Sequence, residues 1–148
     1  MYLKLKYLIK ASVVFIFMMP ALTGCDTPYD IVYEIENLTD QTITVETGKS
    51  RFITGEGQTF TIAIGATVQV LRRGGVNARD YVPPDDRYNF VNDKLFPPGF
   101  EKFDIYCGDV LLPESICRPE LWEYRAKKLL GVYNLCITKE RVDELKNE

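Results

Sequence analysis

Residues 31–36 read IVYEIE, and this stretch decides the fold. Every second residue is large and apolar, so Ile31, Tyr33 and Ile35 would share one face of a half-buried β-strand. Short strands separated by turn residues predict a mainly β, antiparallel sandwich or barrel. Thr138 is placed to cap a short C-terminal helix. Further strand-like runs follow at 41–47, 51–54, 59–64, 67–71, 103–107, 110–112, 121–127 and 132–138.

The composition fits one compact domain and excludes several kinds of catalysis. The chain has 148 residues, of which 46% are hydrophobic and 26% are charged, as is usual for a globular domain. It contains no histidine, so this chain cannot build Ser-His-Asp or Cys-His catalysis or a histidine-based metal site. We expect no cofactor and no metal, and we expect that the protein is not an enzyme.

The first 24 residues have the organisation of a secretory signal. Three lysines within residues 1–10 precede an apolar run at 11–19, which is too short to span a bilayer because a span needs about 20 residues. Leu-Thr-Gly-Cys at 22–25 resembles the lipobox of bacterial lipoproteins, which are cut before a cysteine that carries diacylglycerol. The resemblance implies lipidation of Cys25. The alternative is an ordinary secretory signal that happens to end in a cysteine.

These features divide the chain into three parts. We predict a lipoprotein signal peptide at 1–24, a lipidated tether at 25–29 and a single β-sandwich domain at 30–148. Removing the signal takes away three lysines and no acidic residue, which leaves 124 residues with a net charge of −6. Phosphate backbones repel an acidic domain, so we expect no nucleic-acid partner. Contact with the membrane is expected through the N-terminal lipid.

A series of short motifs follows the lipobox in a fixed order. In this order they resemble the small immunoglobulin-like β-sandwich lipoproteins of gut-type Gram-negative bacteria. The resemblance implies an immunoglobulin-like sandwich in the cell envelope, for which we expect the outer membrane, and it carries over no catalytic residue. The motifs are IVYEIEN at 31–37, TIAIGATVQV at 61–70, VPPDDRYNF at 82–90, FDIYCGD at 103–109, LWEY at 121–124 and GVYNLCIT at 131–138.

Three cysteines remain after Cys25, and the oxidising envelope favours a disulfide between two of them. Cys107 falls on the apolar face of its strand, whereas Cys136 alternates with the core positions and should point away from the core. Two cysteines on opposite sides of one layer cannot be bridged. We therefore predict a Cys107–Cys117 disulfide. The alternative is that all three stay thiols and pack like small hydrophobic residues.

Residues 72–100 have no clear period and contain two Pro-Pro pairs, so they predict a long loop. Arginine and tyrosine are typical of protein interfaces and sugar-binding platforms. The alternative is that the loop aromatics hold the loop onto the sandwich. The predicted partner-binding residues are Arg73, Tyr81, Asp85, Asp86, Arg87 and Tyr88.

Two further groups of residues suggest chemistry. Asp80, Asp85 and Asp86 could serve as paired carboxylates for acid–base work or for calcium, but their spacing is not that of an EF-hand loop and favours a solvated turn. Trp122 with Tyr124 could stack on a sugar, but the same residues could pack in the core.

The strand order also predicts where the loop lies. If five strands run as antiparallel neighbours from the tether, the loop at 72–100 begins at the membrane-distal end. We therefore predict that it forms the contact surface of a non-catalytic binding or assembly module for a protein or glycan partner. The alternative function is an inhibitor or immunity-type lipoprotein that blocks a toxin or hydrolase.

Overall fold

The computed structural model describes residues 27–52, 55–77, 83–89 and 96–146. These residues form eight strands, two short 3₁₀ turns and one C-terminal helix. The predicted signal peptide, Cys25 and Tyr81 lie outside the described residues. The strands are β1 (Thr27–Leu38), β2 (Ile43–Thr47), β3 (Thr59–Ile62), β4 (Thr67–Asn77), β5 (Phe103–Cys107), β6 (Val110–Leu111), β7 (Trp122–Lys127) and β8 (Leu130–Thr138); the helix is α1 (Lys139–Leu145).

The strands make two four-stranded sheets around a common hydrophobic core. Sheet one has the order β4-β1-β8-β7, and sheet two has the order β3-β2-β5-β6. Both sheets contribute their alternating apolar residues to the core, including Ile35 and Leu135 from sheet one and Ile43 and Ile105 from sheet two. The prediction of a mainly β fold with two packed sheets and a short terminal helix is confirmed.

Strand β1 is the centre of sheet one. Its predicted core residues Ile31, Tyr33 and Ile35 are fully buried, as the period of two requires. It pairs antiparallel with β4 on one side and parallel with β8 on the other. The first and last strands of the domain therefore lie side by side, and this parallel pair departs from the all-antiparallel prediction.

Strand β1 defines the two ends of sheet one. We call the end where β1 begins, at Thr27, the tether end, and the end where β1 finishes, at Leu38, the far end. Helix α1 follows β8 at the far end, because Thr138 pairs with Leu38. The Thr138 hydroxyl accepts from the backbone N–H of Arg141, and Val142 is buried, so the predicted cap and docking are confirmed.

Three predicted boundaries are wrong. The predicted tether at 25–29 overlaps β1, which begins at Thr27 because residues 27–29 pair with residues 75–77 of β4. The run at 51–54 is not a strand: residues 51–52 form a turn, and residues 53–54 lie outside the described part. Strand β4 does not end at 71 but continues to Asn77, so the loop begins six residues later than predicted. The reason is long-range pairing, because residues 72–77 lie against the first six residues of β1.

The predicted membrane-distal position of the loop is also wrong. The prediction counted the run at 51–54 as the third of five strands that alternate in direction. Because that run is not a strand, residues 67–77 form the fourth strand, and β4 runs back towards the start of β1 instead of away from it. Asn77 at the end of β4 pairs with Thr27, and Arg73 pairs with Ile31. The segment after β4 therefore leaves at the tether end.

No helix among the described residues is long and apolar enough to cross a membrane.

Candidate functional site

The structure brings together several of the residues predicted to bind a partner. The segment 83–89 folds back over the tyrosines of sheet one, where Asp86 pairs with Arg73 of β4 and Asp85 pairs with Arg87. Tyr33 of β1 and Tyr133 of β8 complete the contacts. We call these six residues (Tyr33, Arg73, Asp85, Asp86, Arg87 and Tyr133) the Arg73–Asp86 cluster.

The ion pair between Arg73 and Asp86 is the buried centre of this cluster. The Nη2 atom of Arg73 lies 2.5 Å from Oδ2 of Asp86, and the two side chains are 8% and 10% exposed. The Nε atom of Arg73 donates to the Tyr33 hydroxyl at 3.0 Å. Burial by itself lowers the pKa of Arg73, but its contacts with Tyr33 and Asp86 outweigh burial and raise the pKa above its ordinary value.

Asp85 and Arg87 form a second pair next to the first. The guanidinium of Arg87 holds both carboxylate oxygens of Asp85, and it also donates to the Trp122 carbonyl at 2.8 Å. Burial raises the pKa of Asp85, but hydrogen bonds from Arg87 and Tyr133 outweigh it and keep the pKa below its ordinary value. The carboxylate is therefore held in its charged form and is occupied by the protein itself.

Tyr133 connects the two pairs. Its hydroxyl accepts from the backbone N–H of Asp86 at 2.9 Å and lies 2.8 Å from Oδ1 of Asp85. Burial, followed by the adjacent carboxylates, raises the pKa of Tyr133 far above its ordinary value. Tyr124 adds a further bond by donating to the Pro83 carbonyl. Hydrogen bonds from the hydroxyls of Tyr124 and Tyr133 thus hold the segment 83–89 against sheet one.

Replacing Tyr133 by phenylalanine should destabilise the fold by about 1–3 kcal/mol, because the buried N–H of Asp86 loses its acceptor and one oxygen of the Asp86 carboxylate loses a donor. Urea unfolding monitored by the fluorescence of Trp122 measures the change. Tyr106→Phe is a suitable control, since Tyr106 lies half-buried on β5 in sheet two, away from this cluster. Equal stability of Tyr133→Phe and the wild-type chain would show that the hydroxyl does not hold the segment.

The aromatic residues beneath the cluster are core residues. Tyr33 stacks on Tyr133 with a centroid distance of 5.1 Å, and Phe96 meets both rings edge-on. Trp122 is fully buried and packs against Tyr33 and Phe96. The core interpretation of Trp122 is therefore confirmed, and its ring cannot stack on a sugar.

The arrangement does not offer free groups for chemistry. Asp85 and Asp86 are each paired with an arginine of the same chain, which leaves neither as an available base. Within the described ranges, no group of three or more cysteine or acidic residues is close enough to hold a metal ion. Tyr88 is 63% exposed, so it does not hold the loop onto the sandwich but projects into solvent.

The predicted Cys107–Cys117 disulfide is absent from the structure, which holds both residues as buried free thiols. Cys117 Sγ lies 3.8 Å from the carbonyl of Phe103, the first residue of β5. Cys107 is the last residue of that strand, about 13 Å away at the usual rise per residue. A disulfide needs Cα atoms closer than about 7 Å, so the two thiols cannot bond without moving the strand. Cys136 is half-buried on the other side of β8, as predicted.

We expect the three thiols to differ in reactivity. Burial raises the pKa of Cys117 from 9.0 to about 12, so alkylation of the folded chain should modify Cys136 first and Cys117 only after unfolding. Peptide mapping of the alkylated sites measures the order in which the cysteines react. A Cys107–Cys117 cross-link in the non-reduced protein would contradict this arrangement.

The same burial should make the free energy of unfolding depend on pH. Because the folded-state pKa of Cys117 exceeds the unfolded value, stability should fall as pH rises from 9 towards 12, by about 1.4 kcal/mol per pH unit.

Sequence reasoning missed Asn37, which the pattern predicted only as part of a turn. Asn37 is fully buried at the far end, where its amide nitrogen donates to the carbonyls of Gln41 and Ile62. Its amide oxygen accepts from the backbone N–H and the hydroxyl of Thr39. The period of two places residue 37 on the same face of β1 as Ile35, and Asn-Leu-Thr at 37–39 is a turn pattern. Neither signal predicts the hydrogen bonds that Asn37 makes.

The fold and the cluster together define a two-sheet, mainly β protein with an internally paired polar cluster at one edge of its core. No protein-family model matches the chain, and comparison with curated proteins and with solved structures finds no match either.

Proposed function

We propose that the protein is a lipid-anchored lipoprotein of the cell envelope, at the outer membrane, that acts as a non-catalytic binding or assembly module. The observation that carries the proposal is that the polar residues best suited to chemistry are occupied within the fold. Asp85 and Asp86 pair with Arg87 and Arg73, so they stabilise a loop and are not available to a substrate. The exposed apolar residues at the far end are instead suited to contact with a partner protein.

The short tether supports anchoring close to the bilayer. Asp26 alone stands between Cys25 and Thr27, where β1 begins. The reach from Cys25 to Thr27 is at most about 7 Å. Acyl groups on Cys25 would therefore hold the tether end of sheet one against the membrane, and the far end would face away from it.

The far end has the apolar surface that a protein partner would use. Leu38 at the end of β1 and Ile64 in the turn after β3 are both exposed. Their segments lie together, because the backbone N–H of Gly65 donates to the carbonyl of Asn37 at 2.7 Å. Clustered exposed aliphatic side chains are typical of protein contact sites.

Two further observations favour a protein over a glycan partner. Val110, at the start of β6, is also exposed at the far end, because its partner Cys107 finishes β5 there. A sugar-binding platform needs exposed aromatic faces, whereas the exposed apolar residues of the far end named here, Leu38, Ile64 and Val110, are all aliphatic.

Photo-crosslinking in intact cells tests this contact surface. A photoreactive residue at Ile64, and independently at Val110, should form an adduct with the same envelope protein, identified by mass spectrometry. The matched control is Arg125, which is exposed on β7 and pairs with Val132, six residues before the far end of β8. Adducts from Tyr88 but not from Ile64 would move the contact to the loop, and adducts from none of these positions would contradict a protein-binding module.

A further inference from the structure

We propose that the turn joining β7 to β8, residues 127–130, rests on an anionic phospholipid surface beside the lipid anchor. The inference depends on the proposed lipidation of Cys25 and adds a second contact, made by the protein itself. The four residues read Lys-Lys-Leu-Leu, and we call them the KKLL turn.

The KKLL turn has the exposure and charge of a membrane-contacting element. Leu129 and Leu130 are each 42% exposed, and both lysines are exposed as well. Within the described part of the chain, neither Lys127 nor Lys128 forms an ion pair. In contrast, Arg125 on the same hairpin is paired with Glu123. Exposed leucines flanked by unpaired lysines match the boundary between acyl chains and anionic headgroups.

The residue types of the KKLL turn are also unusual for a tight hairpin. Tight hairpins ordinarily use glycine, asparagine or aspartate where the backbone enters the left-handed region. Here Lys128 occupies that region, with φ of 52°, and it is followed by an exposed leucine. These side chains do not improve the chain reversal, so their presence fits a contact outside the domain.

The position of the turn brings it within reach of the bilayer. Leu130 pairs with Asp30 of β1, and the carbonyl of Leu129 accepts from the backbone N–H of Asp30 at 2.9 Å. Asp30 is five residues from Cys25, a distance of at most about 17 Å along the chain. The lipid anchor and the KKLL turn therefore emerge from the same end of sheet one.

The local charge of the KKLL turn favours its contact with an anionic surface, even though the processed domain as a whole is acidic. The carboxylate of Asp30, which lies opposite Leu130 on β1, is paired with Arg72, and neither lysine of the turn has an ion-pair partner among the described residues. Each basic residue near an anionic surface strengthens binding about fivefold. The two lysines of the turn would therefore attract anionic headgroups at the tether end.

Depth-dependent quenching tests the proposal. The full chain is produced in a Gram-negative host, purified from membranes and reconstituted into phosphatidylethanolamine–phosphatidylglycerol vesicles with brominated acyl chains. Leu129→Trp places a reporter in the KKLL turn, and Ile64→Trp is the matched control at the exposed far end. Trp122 is buried in both variants and provides the same background. Intact mass establishes whether Cys25 is acylated in each sample.

We expect quenching of Leu129→Trp and none of Ile64→Trp. Adding Lys127→Gln and Lys128→Gln should weaken the contact about 25-fold and reduce quenching, since two fivefold factors are lost. An acylated chain whose Leu129→Trp reporter is not quenched, or is quenched no more than Ile64→Trp, would overturn this inference and leave the anchor intact. A chain without acyl groups on Cys25 would overturn the proposed function and this inference together.

Discussion

Replacement of Arg73 by methionine is expected to destabilise the folded protein by about 3–5 kcal/mol. The substitution leaves the carboxylate of Asp86 charged, 10% exposed and without its guanidinium. It also removes the donor to the Tyr33 hydroxyl. Urea unfolding of the detergent-solubilised chain, followed by the fluorescence of Trp122, measures the loss.

The neighbouring residue provides the control. Arg72 pairs with Asp30 at the surface, where the side chains are 58% and 41% exposed, so Arg72→Met should cost at most about 1 kcal/mol. The double variant Arg73→Met, Asp86→Leu should recover part of the loss, because no buried charge is then left alone. A cost for Arg73→Met as small as that for Arg72→Met would contradict the assignment of this pair as the structural centre of the cluster.

Replacement of Asn37 by alanine should produce the second large effect, about 3 kcal/mol or more. The change removes all four hydrogen bonds of the Asn37 amide. The hydroxyl of Thr39 still donates to the carbonyl of Gln41 at 2.9 Å, but the carbonyl of Ile62 and the backbone N–H of Thr39 lose Asn37, and each buried orphan costs about 1–3 kcal/mol. The partners are the carbonyls of Gln41 and Ile62 and the N–H and hydroxyl of Thr39. The same urea experiment measures the change.

Asn134→Ala is the matched control for this prediction. The amide nitrogen of Asn134 makes one bond, of 3.3 Å, to Glu36, and its amide oxygen is buried without a partner among the described atoms. Its removal should therefore cost about 1 kcal/mol or less. If the two asparagine variants were equally stable, Asn37 would not act as the clamp of the far end.

The parts of the fold that depend on local pattern are predicted well from the sequence. The alternation of Ile31, Tyr33 and Ile35 identifies β1 and its buried face, and Thr138 marks the start of α1. Both signals are contained within a few neighbouring residues. The period of two also places Cys136 on the opposite side of β8 from the core residues.

The parts that depend on distant partners are not predictable in this way. Residues 72–77 contain two arginines and two glycines and resemble a loop, yet they form a strand because the start of β1 lies beside them. The run at 51–54 has strand-like residues but is not a strand. That single miscount reversed the expected direction of β4 and moved the loop to the wrong end of the domain.

The candidate site illustrates the same limit. Residue type singled out Arg73, Asp85, Asp86 and Arg87 and suggested an external partner, but it gave no sign of the contacts that these residues make within the chain. Their partners are instead one another, the tyrosines of sheet one and backbone carbonyls. The alternating pattern predicts that Tyr133 is buried, but it contains no sign that the hydroxyl of this residue is placed to receive a folded-back loop.

The corrected direction of β4 changes the expected functional surfaces. The tether, the segment after β4 and the KKLL turn belong to one end of sheet one, whereas Leu38 and Ile64 belong to the other. A lipid at Cys25 would therefore divide the molecule into a membrane-facing end and a partner-facing end. The stability of the core and of the Arg73–Asp86 cluster would keep the two ends in a fixed relation.

The most direct test of this account is the intact mass of the processed chain recovered from membranes, compared with that of a Cys25→Ala variant. The account predicts a product that begins at Cys25, contains 124 residues and carries acyl groups on that cysteine, with no such product from the variant. A wild-type chain that keeps residues 1–24, or that is cleaved elsewhere and has a free thiol at Cys25, would contradict it.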